Sequence, residues 1–319
     1  MKRVLITDDC HPILKEGLER LGFVCDDQPD ITPQATRECI GQYDGLIINS
    51  KIVVDRDFLA AAPKLRFVGR LGSGMEIVDR AEAAARGVAV LSSPEGNRNA
   101  VAEQALGMLL ALANNLVPAD REVRAMNWRR EANRGFELAG RTIGIIGFGH
   151  TGSQFAKKLA GMEMTVLAYD KYKTDYTAGL PWVQESTPEE IKQKADVVSL
   201  HLPLTTETRH LVDREFIDAS RRGFILINTS RGACVDTAAL VEALEDGRVG
   251  GACLDVFENE KTNTFSGEEK ALYQRLYALD QVILSPHVAG WTHESKRRLA
   301  EILLQKISTI LAESAEKQG

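Results

Sequence analysis

The sequence has no CxxC pair, and its five cysteines (Cys10, Cys25, Cys39, Cys234 and Cys253) are odd in number. That pattern argues against a disulfide framework and a clustered zinc site, so the thiols are expected to be buried and reduced. No apolar stretch approaches the ~18–20 residues of a membrane helix. The apolar run at residues 4–7 is too short for a signal peptide and is followed at once by Asp8 and Asp9. Long basic runs are also missing, and the net charge is −6 with both signs spread along the chain. Nucleic acid and membrane are therefore not expected as partners, and a cytoplasmic location is. An anionic substrate would need positive charge concentrated locally. There is no short-period repeat and no low-complexity tract. What is there is a chain of 319 residues, 44% hydrophobic, enough for about two domains at roughly 150 residues each.

Apolar segments at residues 3–7, 23–25, 45–50, 66–72 and 88–91 read as strands. Helices are expected at 11–21, 32–40, 57–62 and 79–86, with Thr32 capping the second before Pro33. A buried helix of small apolar residues is expected at 100–113 and another helix at 120–128. A second series follows, with strands at 142–147, 165–170, 196–203, 223–230, 251–257 and 281–287. Its helices fall at 150–159 and 236–245, and a long amphipathic helix at 292–315 closes the chain. Strands that are apolar throughout and separated by helices indicate parallel sheets covered on both faces. The expected fold class is α/β, with two doubly wound parallel-sheet domains and chain crossings near residues 93–99 and 287–290.

One motif carries a cofactor. Gly147-Phe148-Gly149-His150-Thr151-Gly152 follows a strand and opens a helix, and Asp170 ends the next strand. A lone GxGxxG is weak; with strand, helix, second strand and terminal acid in register it points to NAD. The glycines permit a tight turn and close approach to a pyrophosphate, and the helix start offers N–H groups. Asp170 can accept hydrogen bonds from a ribose diol and would repel the 2′-phosphate of NADP. Lys171 and Lys173, next to it, would soften that exclusion.

Three further polar groups fall at the carboxyl ends of later strands, where ligands bind in open α/β sheets. Arg231 closes the segment INTSRG, Glu258 and Glu260 follow LDVF, and His287 ends VILSPH. Singly, each is as well explained by a surface or structural role. Together they suit a 2-hydroxy acid reaction. A guanidinium forks onto a carboxylate and polarises a carbonyl. An imidazole exchanges a proton near neutral pH, and a carboxylate orients it. Spacing does not choose between Glu258 and Glu260.

These segments, with VGRLGSGMEIVD at 68–79, GNRNAVAEQALGMLLAL at 96–112, HLPLTTETRHLVD at 201–213 and SPHVAGWT at 285–292, carry a family resemblance. The chain resembles the D-isomer-specific 2-hydroxyacid dehydrogenases over essentially its whole length. The resemblance implies Arg231, Glu260 and His287 as catalytic residues, and so selects Glu260 over Glu258. It puts substrate binding on Arg231, Ser50 and the loop Leu71, Gly72, Ser73 and Gly74, and the nicotinamide carboxamide on Asp255. His201, Thr229, Ser230 and Gly290 join Gly147, Gly149, His150, Thr151, Gly152 and Asp170 as cofactor contacts. No metal is expected. A Rossmann NAD-binding domain at 98–290 is implied to be inserted into a flavodoxin-like substrate domain at 1–97 and 291–319, with a homodimer formed through the cofactor domains. The chain stops soon after the last helix, so no appended regulatory domain is expected.

Within the family the resemblance leans toward the phosphoglycerate dehydrogenase-like branch, with hydroxypyruvate or glyoxylate reduction next. Three departures weaken any transfer of substrate: Lys261 where many relatives have Pro, Gln104 where His is frequent, and Asn49-Ser50-Lys51 where some carry an Arg. Lys51, Arg70, Arg129, Arg130 and Arg134 are candidate phosphate contacts, or a solvated surface cluster in the case of the last three. Trp291 is either core or a cover for the substrate. A rival of another class is a non-catalytic NAD-sensing protein on the same fold.

Overall fold

The computed structural model describes residues 2–316 of the chain, and side chains through residue 313. The elements run β1 (Lys2–Ile6), α1 (Pro12–Arg20), β2 (Phe23–Asp27), α2 (Pro33–Cys39), β3 (Gly45–Ile48), α3 (Arg56–Ala60), β4 (Phe67–Arg70), α4 (Arg80–Ala85), β5 (Ala89–Ser92) and α5 (Pro94–Ala113). They continue with α6 (Leu116–Arg124), β6 (Thr142–Ile146), α7 (His150–Lys158), β7 (Thr165–Tyr169), β8 (Val183–Glu185), α8 (Pro188–Lys194) and β9 (Val197–Leu200). The last are α9 (Arg214–Asp218), β10 (Phe224–Asn228), α10 (Thr237–Glu245), β11 (Val249–Leu254), α11 (Gly267–Tyr277), β12 (Val282–Leu284) and α12 (His293–Glu316).

The chain forms two compact units. One runs through Arg98 and resumes at Trp291; the other is Asn99–Gly290. Every strand pair in both is parallel. The first unit has the strand order β2-β1-β3-β4-β5, the flavodoxin-like arrangement. One face of its sheet packs against α1 and α12 through Leu14, Leu18, Leu303 and Ile307. The other face buries Phe58, Leu59, Val78 and Ala83.

The second unit has the order β12-β11-β10-β9-β6-β7-β8, a Rossmann sheet. Its strands are apolar because both faces are covered. Leu109 of α5 and Phe155 of α7 pack on one side; Ile191 of α8, Leu240 of α10 and Leu276 of α11 pack on the other. Chain direction across the sheet reverses at β6. Ile146 pairs with Tyr169 of β7 on one side and with Leu200 of β9 on the other, so three strands end at one level. Ligand crevices open at such switch points.

Several expectations need correction. The helix expected at 120–128 runs from Leu116 to Arg124. Asn115 and Met126 take left-handed conformations (φ 51° and 61°) and set its limits, while Pro118 is tolerated in the first turn. The elements β8, α8, α9 and α11 fall in stretches read as connections. Only Cys234 and Cys253 are buried; Cys10, Cys25 and Cys39 are half-buried, and all five are free thiols. Among the described residues no single helix is long and apolar enough to cross a membrane. The pair α5 and α6 has the composition but bends by 62° between its halves.

Candidate active site

The glycine motif sits at the switch point. Gly147 has φ 92°, and its N–H donates to Tyr169 O at 2.8 Å. A Cβ there would stand 2.4 Å from His201 O, so only glycine passes between β7 and β9. A Cβ on Gly152 would meet Gly147 O at 2.0 Å, which fixes glycine where α7 packs back on the turn. At Gly149 an added Cβ meets nothing within 4 Å. That open side lies at the N-terminus of α7, whose N-cap Gly149 supplies no side-chain hydrogen bond. The helix start therefore keeps amide donors for a ligand. His150 and Thr151 form its first turn.

Asp170 follows β7. Its Oδ2 accepts from Phe148 N at 2.9 Å and its Oδ1 from Tyr172 N at 3.0 Å, so it braces the glycine turn. Each of the neighbouring lysines is engaged within the chain. Lys171 Nζ lies 2.7 Å from Glu207 Oε2, and Lys173 Nζ donates to Phe148 O at 2.8 Å.

Two buried polar atoms at the neighbouring strand ends have no partner among the described residues: His201 Nδ1 and Thr229 Oγ1. His201 packs on Phe155, and its Nε2 is 2.9 Å from Ser199 Oγ. Burial pushes its pKa down to about 3, which keeps the ring neutral. Unsatisfied buried polar atoms are costly. Together with the open side of Gly149, they fit a polar ligand along this edge.

The Arg231 turn is built on β10. Asn228 Oδ1 accepts from Ser230 N and Oγ at 3.0 and 2.8 Å, while its Nδ2 donates to Arg231 O at 2.9 Å. Arg231 is half-buried, and its Nη1 donates to Ser230 O at 2.7 Å. The next residue must be glycine, since a Cβ on Gly232 would fall 1.9 Å from Phe257 O. That contact presses the Arg231 turn against the loop that carries Glu260.

His287 stands beyond β12 with φ 57°, an uncommon conformation for a residue with a side chain. Asp255 holds it there. Asp255 is 1% exposed, and its carboxylate accepts from Ser285 Oγ (2.5 Å), Val288 N (2.9 Å) and Ala289 N (2.8 Å). Gln104 Nε2 donates to Ser285 Oγ at 3.3 Å. The side chain expected to meet a nicotinamide carboxamide also satisfies backbone donors of the His287 loop.

Glu260 and His287 come together as expected, with Oε2 to Nδ1 at 2.9 Å and both side chains about half exposed. The Glu260 hydrogen bond raises the pKa of His287 against the opposing effect of burial, and the charges of Glu260 and Asp255 add to the rise. For Glu260, burial acts upward, but the His287 bond and charge, with the Phe257 N–H and the charge of Arg231, together outweigh it and hold the carboxyl below its ordinary value. The charge of Arg231 acts on both groups. Glu258 points elsewhere: it pairs with His210 at 2.5 Å and accepts from Thr237 N at 2.8 Å, at the start of α10.

In the first unit, Leu71 N donates to Ile48 O at 2.9 Å and Ser93 N donates to Gly72 O at 3.1 Å, which shape the loop after β4. Arg70 Nε donates to Asn49 O at 3.0 Å. Ser50 is exposed at the end of β3. Lys51 Nζ donates to Pro29 O at 2.5 Å. In the second unit, Arg129 pairs with Glu122, and Arg134 with both oxygens of Glu131 at 2.8 and 3.0 Å. Sequence reasoning passed over Asn228, Gly232, Ser285 and Glu207. All four lie inside quoted motifs; Asn228 bonds locally to Ser230 and Arg231, while the contacts of Gly232, Ser285 and Glu207 are tertiary and carry no local signal. Among the described residues no group of three or more His, Cys, Asp or Glu is placed to hold a metal ion.

The chain belongs to the D-isomer specific 2-hydroxyacid dehydrogenase family, whose NAD binding domain matches residues 106–289. It is 33% identical over 98% of its length to D-3-phosphoglycerate dehydrogenase of Methanocaldococcus jannaschii, and spans 58% of that relative. It spans 52% of the Mycobacterium leprae enzyme of the same name, so it has about half the length of these curated relatives. Hydroxypyruvate reductase of Thermotoga maritima is 35% identical over 84% of this chain and 85% of that one. The crystal structure of D-lactate dehydrogenase from Aquifex aeolicus, complexed with NAD and lactic acid, superposes with a TM-score of 0.83. It shares 26% identity, with 99% of this chain and 97% of that one covered.

Proposed function

We propose that the protein is an NAD-dependent dehydrogenase that moves a hydride between the nicotinamide and C2 of a small 2-hydroxy or 2-keto acid. The observation that carries this reading is the Glu260–His287 pair, 2.9 Å apart, beside the charge of Arg231 in an NAD-binding domain. Bound NADH supplies the hydride. His287 engages Glu260 through Nδ1, which leaves Nε2 to give a proton to the carbonyl oxygen as the hydroxyl forms, and to take it back in oxidation. Glu260 fixes the ring and favours its charged form. Arg231 binds the carboxylate and polarises the carbonyl. The loop Leu71, Gly72, Ser73 and Gly74, with Ser50, is assigned to the substrate carboxylate through backbone N–H groups. Gly147, Gly149, His150, Thr151 and Gly152 hold the pyrophosphate, and Asp170 the ribose diol. His201, Thr229, Ser230 and Gly290 complete the cofactor contacts, and residues 1–97 with 291–319 serve as the substrate domain.

Between substrates, a keto acid without a phosphate is favoured by one observation: Arg129, Arg134 and Lys51 each already have a partner within the chain. Phosphohydroxypyruvate, the oxidised form of 3-phosphoglycerate, is the second reading and rests on the relatives. A homodimer is supported by the exposed apolar side chains of Leu116, Val117, Val123, Met126 and Trp128, which follow one another on and after α6. The charge balance and the free thiols are in keeping with the cytoplasm. NADH oxidation measured with hydroxypyruvate, glyoxylate, pyruvate and phosphohydroxypyruvate tests the assignment. Turnover of none of them, with NADH bound, would favour a non-catalytic NAD-sensing protein.

A further inference from the structure

The rim beside Asp170 holds a charge arrangement that the proposed reaction does not use. Lys171 directly follows Asp170, and its ammonium lies 2.7 Å from Glu207 Oε2. Tyr172 Oη donates to the same oxygen at 2.9 Å. Glu207 belongs to the loop after β9, and Lys171 and Tyr172 to the loop after β7. These strands flank β6, so the two loops meet over the level at which the glycine turn begins. The other nearby cation, Lys173, is spent on Phe148 O at 2.8 Å.

We infer that Glu207 is a specificity-determining residue for the cofactor, holding Lys171 away from the 2′ position and so enforcing NAD over NADP. This rests on the reading of Asp170 as the ribose-diol acceptor. A 2′-phosphate brings close to two negative charges and needs a cation in place of the diol acceptor. Lys171 is the cation nearest in sequence to that position. With Glu207 present its charge is matched, and the four ionised groups Asp170, Lys171, Lys173 and Glu207 sum to zero. Without Glu207 the rim gains one positive charge and a flexible ammonium with no carboxylate partner. Asp170 alone supplies repulsion; Glu207 removes the neighbour that would offset it.

Calorimetric titration with ADP-ribose and 2′-phospho-ADP-ribose tests this without turnover. The proteins are the unaltered chain and the variants Glu207→Gln, Lys171→Gln and the two combined. Glu207→Gln is expected to improve binding of 2′-phospho-ADP-ribose relative to ADP-ribose by about 2–5-fold, the scale of an exposed ion pair. The gain should shrink in high salt and vanish when Lys171→Gln is added. An unchanged ratio in Glu207→Gln, or a gain that survives loss of Lys171, overturns the inference. Failure of the unaltered chain to bind ADP-ribose would instead remove the dinucleotide assignment of Asp170 on which it stands.

Discussion

The backbone N–H of His287 donates to the carbonyl of Asp255 at 2.7 Å, and the carboxylate of Asp255 accepts from the two residues that follow His287. One buried side chain thus holds the loop that presents the imidazole. Asp255→Asn should damage this loop, because an amide has one acceptor oxygen where the carboxylate has two. A misplacement of about 1 Å at a reacting group costs on the order of 10² in rate. We expect kcat to fall by about that factor and the melting temperature to drop. A large rise in the KM for NADH with kcat and melting temperature unchanged would show that the side chain serves the nicotinamide instead.

The Glu260 bond raises the pKa of His287, and this sets the direction of the pH dependence. Reduction of a keto acid needs the imidazolium, so its rate should fall as pH rises through the elevated pKa. Oxidation needs the neutral ring and should rise over the same range. Glu260→Gln removes the stabilising charge, so both limbs should move to lower pH. His287→Ala should lose about 10²–10⁴ in kcat while NADH still binds. A pH profile unmoved in Glu260→Gln would separate the two residues.

The parts of the site that rest on local patterns were legible. Gly147, Gly152 and Asp170 follow from strand–turn–helix geometry, and Arg231 and His287 from their places after apolar strands. Glu258 and Glu260 are equivalent by spacing, and only the family pattern chose between them; in the fold one reaches His287 and the other α10. The engagement of Lys171 was hidden because Glu207 lies beyond two intervening strands and a helix. The limits of α6 were hidden because left-handed turns at Asn115 and Met126 have no strong sequence mark. The helix α8, PEEIKQK, is too polar to show a buried face, and β8 has only three residues.

Asp170 bridges Phe148 N and Tyr172 N in the structure, so its removal should loosen the glycine turn as well as the ribose contact. Asp170→Ala should raise the KM for NADH and narrow the preference over NADPH, with a smaller effect on kcat. Equal use of NADH and NADPH by the unaltered protein would refute the role of Asp170.

Arg231 donates to Ser230 O, and its turn is locked by Asn228 and by the close pass of Gly232 against Phe257. A planar fork in a fixed turn cannot be copied by an ammonium. Arg231→Lys keeps the charge but loses at least one charge-assisted hydrogen bond, about 1.5–3 kcal/mol. The expected loss in kcat/KM is therefore about 10–10²-fold or more. A Lys variant within twofold of the original would mean that only the charge matters there.

The arginines after α6 decide between the two substrate readings. Arg129 and Arg134 are paired with Glu122 and Glu131 in the chain; the Arg134 pair faces solvent on both sides, whereas Glu122 is largely covered. A fully exposed pair contributes little, so a phosphate with two charges could recruit Arg134 at small cost. Their pairing favours the unphosphorylated substrate without forbidding the other. Neutralising Arg129, Arg130 and Arg134 together separates the two. If they bind a substrate phosphate, the KM for phosphohydroxypyruvate should rise while that for hydroxypyruvate stays put. The pairing seen here leads us to expect no such split, with both KM values within about twofold of the original, the scale of a lost surface pair. A selective rise for phosphohydroxypyruvate would restore the phosphate reading and identify these arginines as its source of charge.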